Sequence, residues 1–256
     1  MPNFLKPLET VSARRGSITS IFADFVRLLA CSVSPRIIVD GRTVSVREAE
    51  YMETIARYDK REAGLFAEAY ATFILEAEDH PHRDILGSAW LDYTSKSCKQ
   101  ARGEFYTPPE VAELMAHMTG DAAGYIERGR PFTVCEPACG AGTMILAYAK
   151  QFAPDHWHLP RFTAIDLNPV ACDMTFINTT LWSIPCEVIC GNSLFPKESD
   201  RRHINLHWLR VGEEERRFVH NLLNPPKALP PPQPTPAPSK PVANKSGWIQ
   251  DELFAA

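Results

Sequence analysis

Residues 132–150 read "FTVCEPACGAGTMILAYAK", and the fold turns on how this stretch is read. A β-forming run ends on Glu136, a turn containing Gly140 and Gly142 follows, and Met144, Ile145, Ala147 and Tyr148 then recur at helical spacing. Glycine has no Cβ, so such a turn can bend sharply and bring backbone N–H groups close to a ligand. A lone Gly-x-Gly also serves as a plain tight connection. Its meaning therefore depends on its neighbours.

Downstream, "RFTAID" (161–166) and "CEVIC" (186–190) are further short apolar runs, each followed by a helix or loop pattern. Strand-helix alternation predicts an α/β fold with a parallel sheet and ligand sites at the carboxyl ends of its strands. The second run ends on Asp166, whose carboxylate suits the two hydroxyls of a ribose. Asp166 and Asn168 also suit the start of a helix at Pro169. The third run leads into Gly191, Asn192 and Ser193, which either reach an adenine ring or make a polar turn.

Upstream the pattern is helical. Apolar residues recur at 18, 21, 22, 25, 26 and 29, and Leu65, Phe66, Ala69, Tyr70, Phe73 and Ile74 form one stripe that reads as core. Ser45 with Glu48, and Thr107 with Glu110 around Pro108, have capping-box spacing. After residue 225 Pro, Ala, Gln, Ser and Thr dominate, a composition that buries too little apolar area to fold and reads as an extended linker. The expected organisation is an N-terminal helical region (1–100), an α/β domain (101–224) and a disordered Pro-rich tail (225–256).

A chain of 256 residues with net charge −4 is long enough for a full core and has no global basic field, so any nucleic-acid contact must be local or supplied by a partner. Its 7 cysteines form no Cys-x-x-Cys pair, and several lie in apolar runs, as expected of a reducing cytoplasm. No signal peptide and no membrane-spanning run is expected. "HPH" (80–82) and "HWH" (156–158) lack further ligands at metal spacing, so no metal site is predicted. Arg201, Arg202, Arg216 and Arg217 read as a solvated face, or alternatively as phosphate contacts.

In order, "GEFYTPPEVAELM", "CEPACGAGTMIL", "AIDLNPVACDMTFIN" and "CGNSL" resemble the N6-adenine DNA methyltransferases, above all the modification subunits of type I restriction-modification systems and their solitary relatives. "DILGSAWLDY" (84–93) resembles the helical lead-in of that group, so the likeness covers residues 60 to 195. It implies a Rossmann-like core, S-adenosyl-L-methionine as cofactor, DNA as substrate and a bacterial cytoplasm in a plasmid- or phage-type setting. By position, Phe105, Tyr106, Thr107 and Pro108 would line the methionine end of the cofactor. Glu136, Pro137, Ala138, Cys139, Gly140 and Gly142 would form the turn beneath it, Asp166 would take the ribose, and Asn192 with Ser193 the adenine edge. Many relatives have an acid where Asn192 stands.

The same resemblance implies a catalytic role for Asn224, Pro225 and Pro226, because the family carries Asn-Pro-Pro followed by an aromatic that stacks on the flipped base. Here Lys227 follows, and "EEERRFVHNLL" (213–223) has helical rather than strand spacing. The tripeptide also reads as the first prolines of the tail. The expected sheet is then truncated, and the alternative to an enzyme is a catalytically silent subunit that binds cofactor or DNA and serves a partner methyltransferase.

At the carboxyl end, Gln250, Leu253 and Phe254 in "QDELF" resemble the peptide by which bacterial proteins dock on the sliding clamp. The other reading is a short helix folding back on the protein's own core.

Overall fold

The structure, a computed structural model, describes residues 3–39, 42–93, 107–197 and 200–211. Phe105, Tyr106, the Asn224-Pro225-Pro226 tripeptide, the Pro-rich tail and the Gln250, Leu253, Phe254 motif lie outside the described residues.

The N-terminal part is built from α1 (Leu5–Arg15), α2 (Ile18–Ser32), a hairpin of β1 (Arg36–Val39) and β2 (Arg42–Ser45), α3 (Glu48–Ile55), α4 (Lys60–Asp79) and α5 (Ile85–Tyr93). The apolar periodicity of α2 buries Ile21, Phe22, Phe25, Val26 and Leu29, as its spacing predicts. In α4, Phe66, Ala69 and Phe73 are buried, and Leu65, Tyr70 and Ile74 pack against them. Phe4 joins the helices, with ring centroids 5.8 Å from Phe25 and 5.5 Å from Phe73. Asp59 and Glu62 form a reciprocal capping box at the start of α4, and Arg15 grips the Glu62 carboxylate through two hydrogen bonds of 2.9 and 2.6 Å.

After α6 (Pro109–Thr119) and α7 (Ala122–Arg128), the chain alternates: β3 (Phe132–Glu136), α8 (Thr143–Ala149), β4 (Pro160–Asp166), α9 (Pro169–Leu181), β5 (Cys186–Cys190) and β6 (Arg201–Ile204). The sheet order is β3-β4-β5-β6. The pairs β3·β4 and β4·β5 are parallel, with α8 and α9 in the crossovers, while β6 runs antiparallel along β5. Helix α9 is buried from Ala171 to Thr179, because it packs on β4 and β5 and also meets α2. One continuous apolar cluster accordingly runs from Phe4 through Phe22, Phe73 and Trp90 to Ile145, Phe162, Phe176 and Val188. Across this contact Arg47 and Asp173 form an ion pair of 2.9 Å, each side chain only 2 % exposed.

Four local readings change. The β1–β2 hairpin lies inside the region read as helical; it is short, with Arg36 paired to Ser45. Ser45 does not cap α3: as a strand residue it donates to the Cys31 carbonyl at 3.0 Å, and α3 starts after Arg47. Thr107 does not cap α6 either. Pro109 holds Pro108 in an extended conformation (φ −56°, ψ 141°), so the helix begins at Pro109 without a side-chain cap. Arg201 and Arg202 belong to a strand, where Arg201 lies 3.5 Å from Glu50 and Arg202 3.3 Å from Glu187. The sheet is thus mixed rather than wholly parallel. Among the described residues no helix is long and apolar enough to cross a membrane.

Candidate functional site

The carboxyl ends of β3, β4 and β5 lie side by side, and the loops leaving them hold most of the residues singled out from the sequence. The turn after β3 bends back over β4: the Cys139 N–H donates to the Ile165 carbonyl at 2.9 Å, and the Gly142 N–H to the Cys139 carbonyl at 2.8 Å. Gly140 and Gly142 take φ of 54° and 87°, the left-handed region in which a side chain costs most. At Gly142 an added Cβ would stand 3.2 Å from Thr175 Oγ1 and 3.3 Å from its Cγ2. Glu136 turns back on this loop, its Oε1 accepting from the Ala138 N–H at 3.2 Å.

Asp166 joins the strands. Its Oδ2 accepts from the Gly140 N–H at 2.9 Å and its Oδ1 from the Asn168 N–H at 2.8 Å, while its backbone carbonyl accepts from the Gly191 N–H at 2.9 Å. Asn168 caps α9 by accepting from the Val170 N–H at 3.0 Å. The carboxylate is therefore oriented by the backbone and half-buried. Asn192 uses its Oδ1 to accept from the Leu194 N–H at 2.9 Å, which makes it a turn former. Beyond it Leu194 and Phe195 are exposed, as is Leu167 next to Asp166.

Three cysteines lie close to this end of the sheet. Cys172 Sγ donates to the Asp166 carbonyl at 3.4 Å, and the Cys190 Sγ is 3.9 Å from the Leu167 carbonyl. The neighbouring Cys172 thiol draws the Cys190 thiol below the ordinary cysteine range, whereas burial pushes the Cys139 thiol up. Among the described residues no group of three His, Cys, Asp or Glu side chains is arranged to hold a metal ion.

Several polar groups beneath the turn went unrecognised in the sequence. Thr175 Oγ1 donates to the Gly140 carbonyl at 2.8 Å, and Asn178 Nδ2 to the Ala141 carbonyl at 2.8 Å. Asn178 Nδ2 also donates to Asp84 Oδ1 at 3.1 Å, and Thr143 Oγ1 to Asp84 Oδ2 at 3.0 Å. Thr175 and Asn178 stand three residues apart on α9, a spacing that puts both on one face of the helix. Asp84 with Gly87 has the spacing of a helix cap, and the Gly87 N–H does donate to Asp84 Oδ1 at 2.8 Å.

The family model of the N-6 DNA methylases matches residues 82–218, just over half of the chain. The chain belongs to the N-6 DNA methylase family. The match begins two residues before Asp84 and takes in every strand of the β3-β4-β5-β6 sheet. Among individual proteins, the chain is 20 % identical over 195 residues to the Type I restriction enzyme MpnII methylase subunit of Mycoplasma pneumoniae, covering 74 % of this chain and 32 % of that one. It is 28 % identical over 159 residues to the Type I restriction enzyme MjaVIII methylase subunit of Methanocaldococcus jannaschii, covering 54 % of this chain and 25 % of that one. The chain thus spans a third or less of the length of these relatives.

Proposed function

We propose that this chain carries the S-adenosyl-L-methionine site of a DNA methyltransferase acting on adenine N6, built on a Rossmann-like sheet. The observation that carries the reading is the hydrogen bond between Asp166 and Gly140. It holds a half-buried carboxylate at the end of one parallel strand against a left-handed glycine turn at the end of the next. That arrangement suits a nucleoside: a ribose needs an oriented acceptor, and the group attached to it needs a backbone without Cβ atoms nearby. The family match and the methylase subunits among its relatives support the same cofactor and the same substrate class.

In this reading Asp166 accepts from the ribose hydroxyls, and the turn from Glu136 to Gly142 passes beneath the cofactor. Phe105, Tyr106, Thr107 and Pro108 enclose its methionine end. Asn192 and Ser193 border the adenine, where Asn192 also shapes the loop through its Oδ1. When bound, the cofactor supplies an electrophilic sulfonium methyl. The chain's task is to raise the nucleophilicity of an exocyclic amine whose lone pair is delocalised into the base. The Asn224 side-chain oxygen and the Pro225 carbonyl are the acceptors we assign to the amine hydrogens, with Pro226 fixing the loop. Residues 1–100 support the site that residues 101–224 form, and Pro225 and Pro226 extend it.

Lys227 favours a second reading, a chain that binds the cofactor and leaves transfer to a partner subunit, because lysine offers no ring to stack on a flipped base. One experiment separates the two. Calorimetric titration with S-adenosyl-L-methionine is followed by transfer of its tritiated methyl group to unmethylated DNA, for the wild type, Asp166→Ala and Asn224→Ala. An enzyme binds, transfers, and loses transfer but not binding on Asn224→Ala. A silent subunit binds without transfer. A wild-type chain that does not bind refutes the cofactor site.

A further inference from the structure

We infer that Asp84, Thr143 and Asn178 are positioning residues that set the conformation of the glycine turn, so that the start of α5 belongs to the cofactor site. The inference rests on the cofactor reading above. Asp84 is 5 % exposed and Asn178 2 %, and the Asp84 carboxylate accepts from three donors: the Gly87 N–H, the Thr143 hydroxyl and the Asn178 carboxamide.

The carboxamide explains why this matters for the turn. Asn178 Nδ2 has two hydrogens, and it is placed to give one to Asp84 and the other to the Ala141 carbonyl, between the two left-handed glycines. Without an acceptor at Asp84 the carboxamide is free to rotate or flip, and Ala141 loses its restraint. Thr143, the first residue of α8, is held by the same carboxylate, so Asp84 restrains the turn at both Ala141 and Thr143.

A second, independent feature points the same way. A Cβ on Gly87 would meet the Ala141 Cβ at 2.7 Å as well as the Asp84 carboxylate. The first turn of α5 therefore lies directly against the glycine turn, and only a residue without a side chain permits that approach. Ordinary helix capping requires Asp84 to reach Gly87. It does not require contact with Thr143, Asn178 or Ala141, which lie more than fifty residues away in sequence.

The test compares Asp84→Ser, which keeps an acceptor for the Gly87 N–H but cannot span to Thr143 and Asn178, with Asp84→Asn, which keeps the reach. Two quantities are read on the full chain: affinity for S-adenosyl-L-methionine, and amide hydrogen exchange of residues 138–142 without ligand. Asp84→Ser is expected to weaken binding about tenfold and to speed exchange in the turn by about as much, while Asp84→Asn stays within about threefold of wild type in both. If Asp84→Ser proves unfolded, Thr143→Val replaces it and Thr143→Ser is the rescuing variant, with the same expectations. Wild-type binding with affinity and exchange unmoved by these changes overturns the inference. No binding by the wild type, together with faster exchange in Asp84→Ser, refutes the cofactor reading and leaves the positioning role standing.

Discussion

Gly140 gives its backbone N–H to Asp166 Oδ2 at 2.9 Å, so the turn after β3 and the end of β4 are held by one charged hydrogen bond. The other carboxylate oxygen takes the Asn168 N–H at 2.8 Å. Both bonds come from backbone donors, which cannot rotate away, and both leave lone pairs for a ligand. Asp166→Asn presents a carboxamide NH2, itself a donor, to one of these donors. It should cost about 1–3 kcal/mol in ligand-free thermal or denaturant unfolding, in addition to any loss of cofactor affinity. An unchanged midpoint would contradict the bracing role.

Two glycines should respond to alanine in opposite directions. Gly142 has φ of 87°, and its added Cβ would press on Thr175 at 3.2 Å, so Gly142→Ala should destabilise by about 1–2 kcal/mol. Gly64 lies inside α4 with nothing within 4 Å of an added Cβ, so Gly64→Ala should stabilise by about 0.5–1 kcal/mol. Urea unfolding of both variants checks the signs.

Arg47 and Asp173 are each 2 % exposed and 2.9 Å apart, where the hairpin region meets α9. Burial pushes the Asp173 carboxyl up in spite of the guanidinium beside it. Asp173→Ala leaves a buried arginine without that partner and should cost about 3–5 kcal/mol. Combining it with Arg47→Met should recover most of the loss, since the desolvation penalty is then removed from both sides; a double variant no more stable than Asp173→Ala would show that the pair acts through packing alone.

Burial raises the Asp84 carboxyl from 3.8 to about 6. Because the folded value lies above the unfolded one, the folded protein holds a proton there that the unfolded chain has already lost. Asp84 therefore contributes its full stability below about pH 4, loses about 3 kcal/mol of it as pH rises through about 6, and adds no further slope above about pH 7. Glu62 behaves oppositely: hydrogen bonds from Arg15 lower it from 4.5 to about 2, so its contribution is present above about pH 4.5 and is lost as pH falls towards 2. Denaturant unfolding at pH 4.5, 5, 5.5 and 6 should show Asp84→Asn to have a flatter profile than wild type. Parallel profiles would mean that Asp84 does not titrate in this window.

The local patterns of the α/β region were legible in one dimension because each is a property of neighbours in sequence. The runs ending at Glu136 and Asp166, the helix beginning at Pro169 beneath its Asn168 cap, and the buried stripe of α2 all follow from periodicity and capping chemistry. So did the family, since the ordered motifs sit at strand ends where ligands are met. The misread caps at Ser45 and Thr107 show the limit of that logic: a hydroxyl three residues before a glutamate caps only if the backbone between them turns into helix. At one site a strand, and at the other the Pro108-Pro109 pair, prevents it.

What only the tertiary structure decided is which distant groups meet. Asp84 reaches Thr143 and Asn178, Arg47 finds Asp173, and Thr175 takes the Gly140 carbonyl. In sequence these are a cap, a surface-type arginine and four ordinary helix polars, and nothing in their spacing names their distant partners. They pair because α9 is buried between the sheet and α2. Burial leaves no water to satisfy a polar group, so each must find a partner wherever the packing puts one.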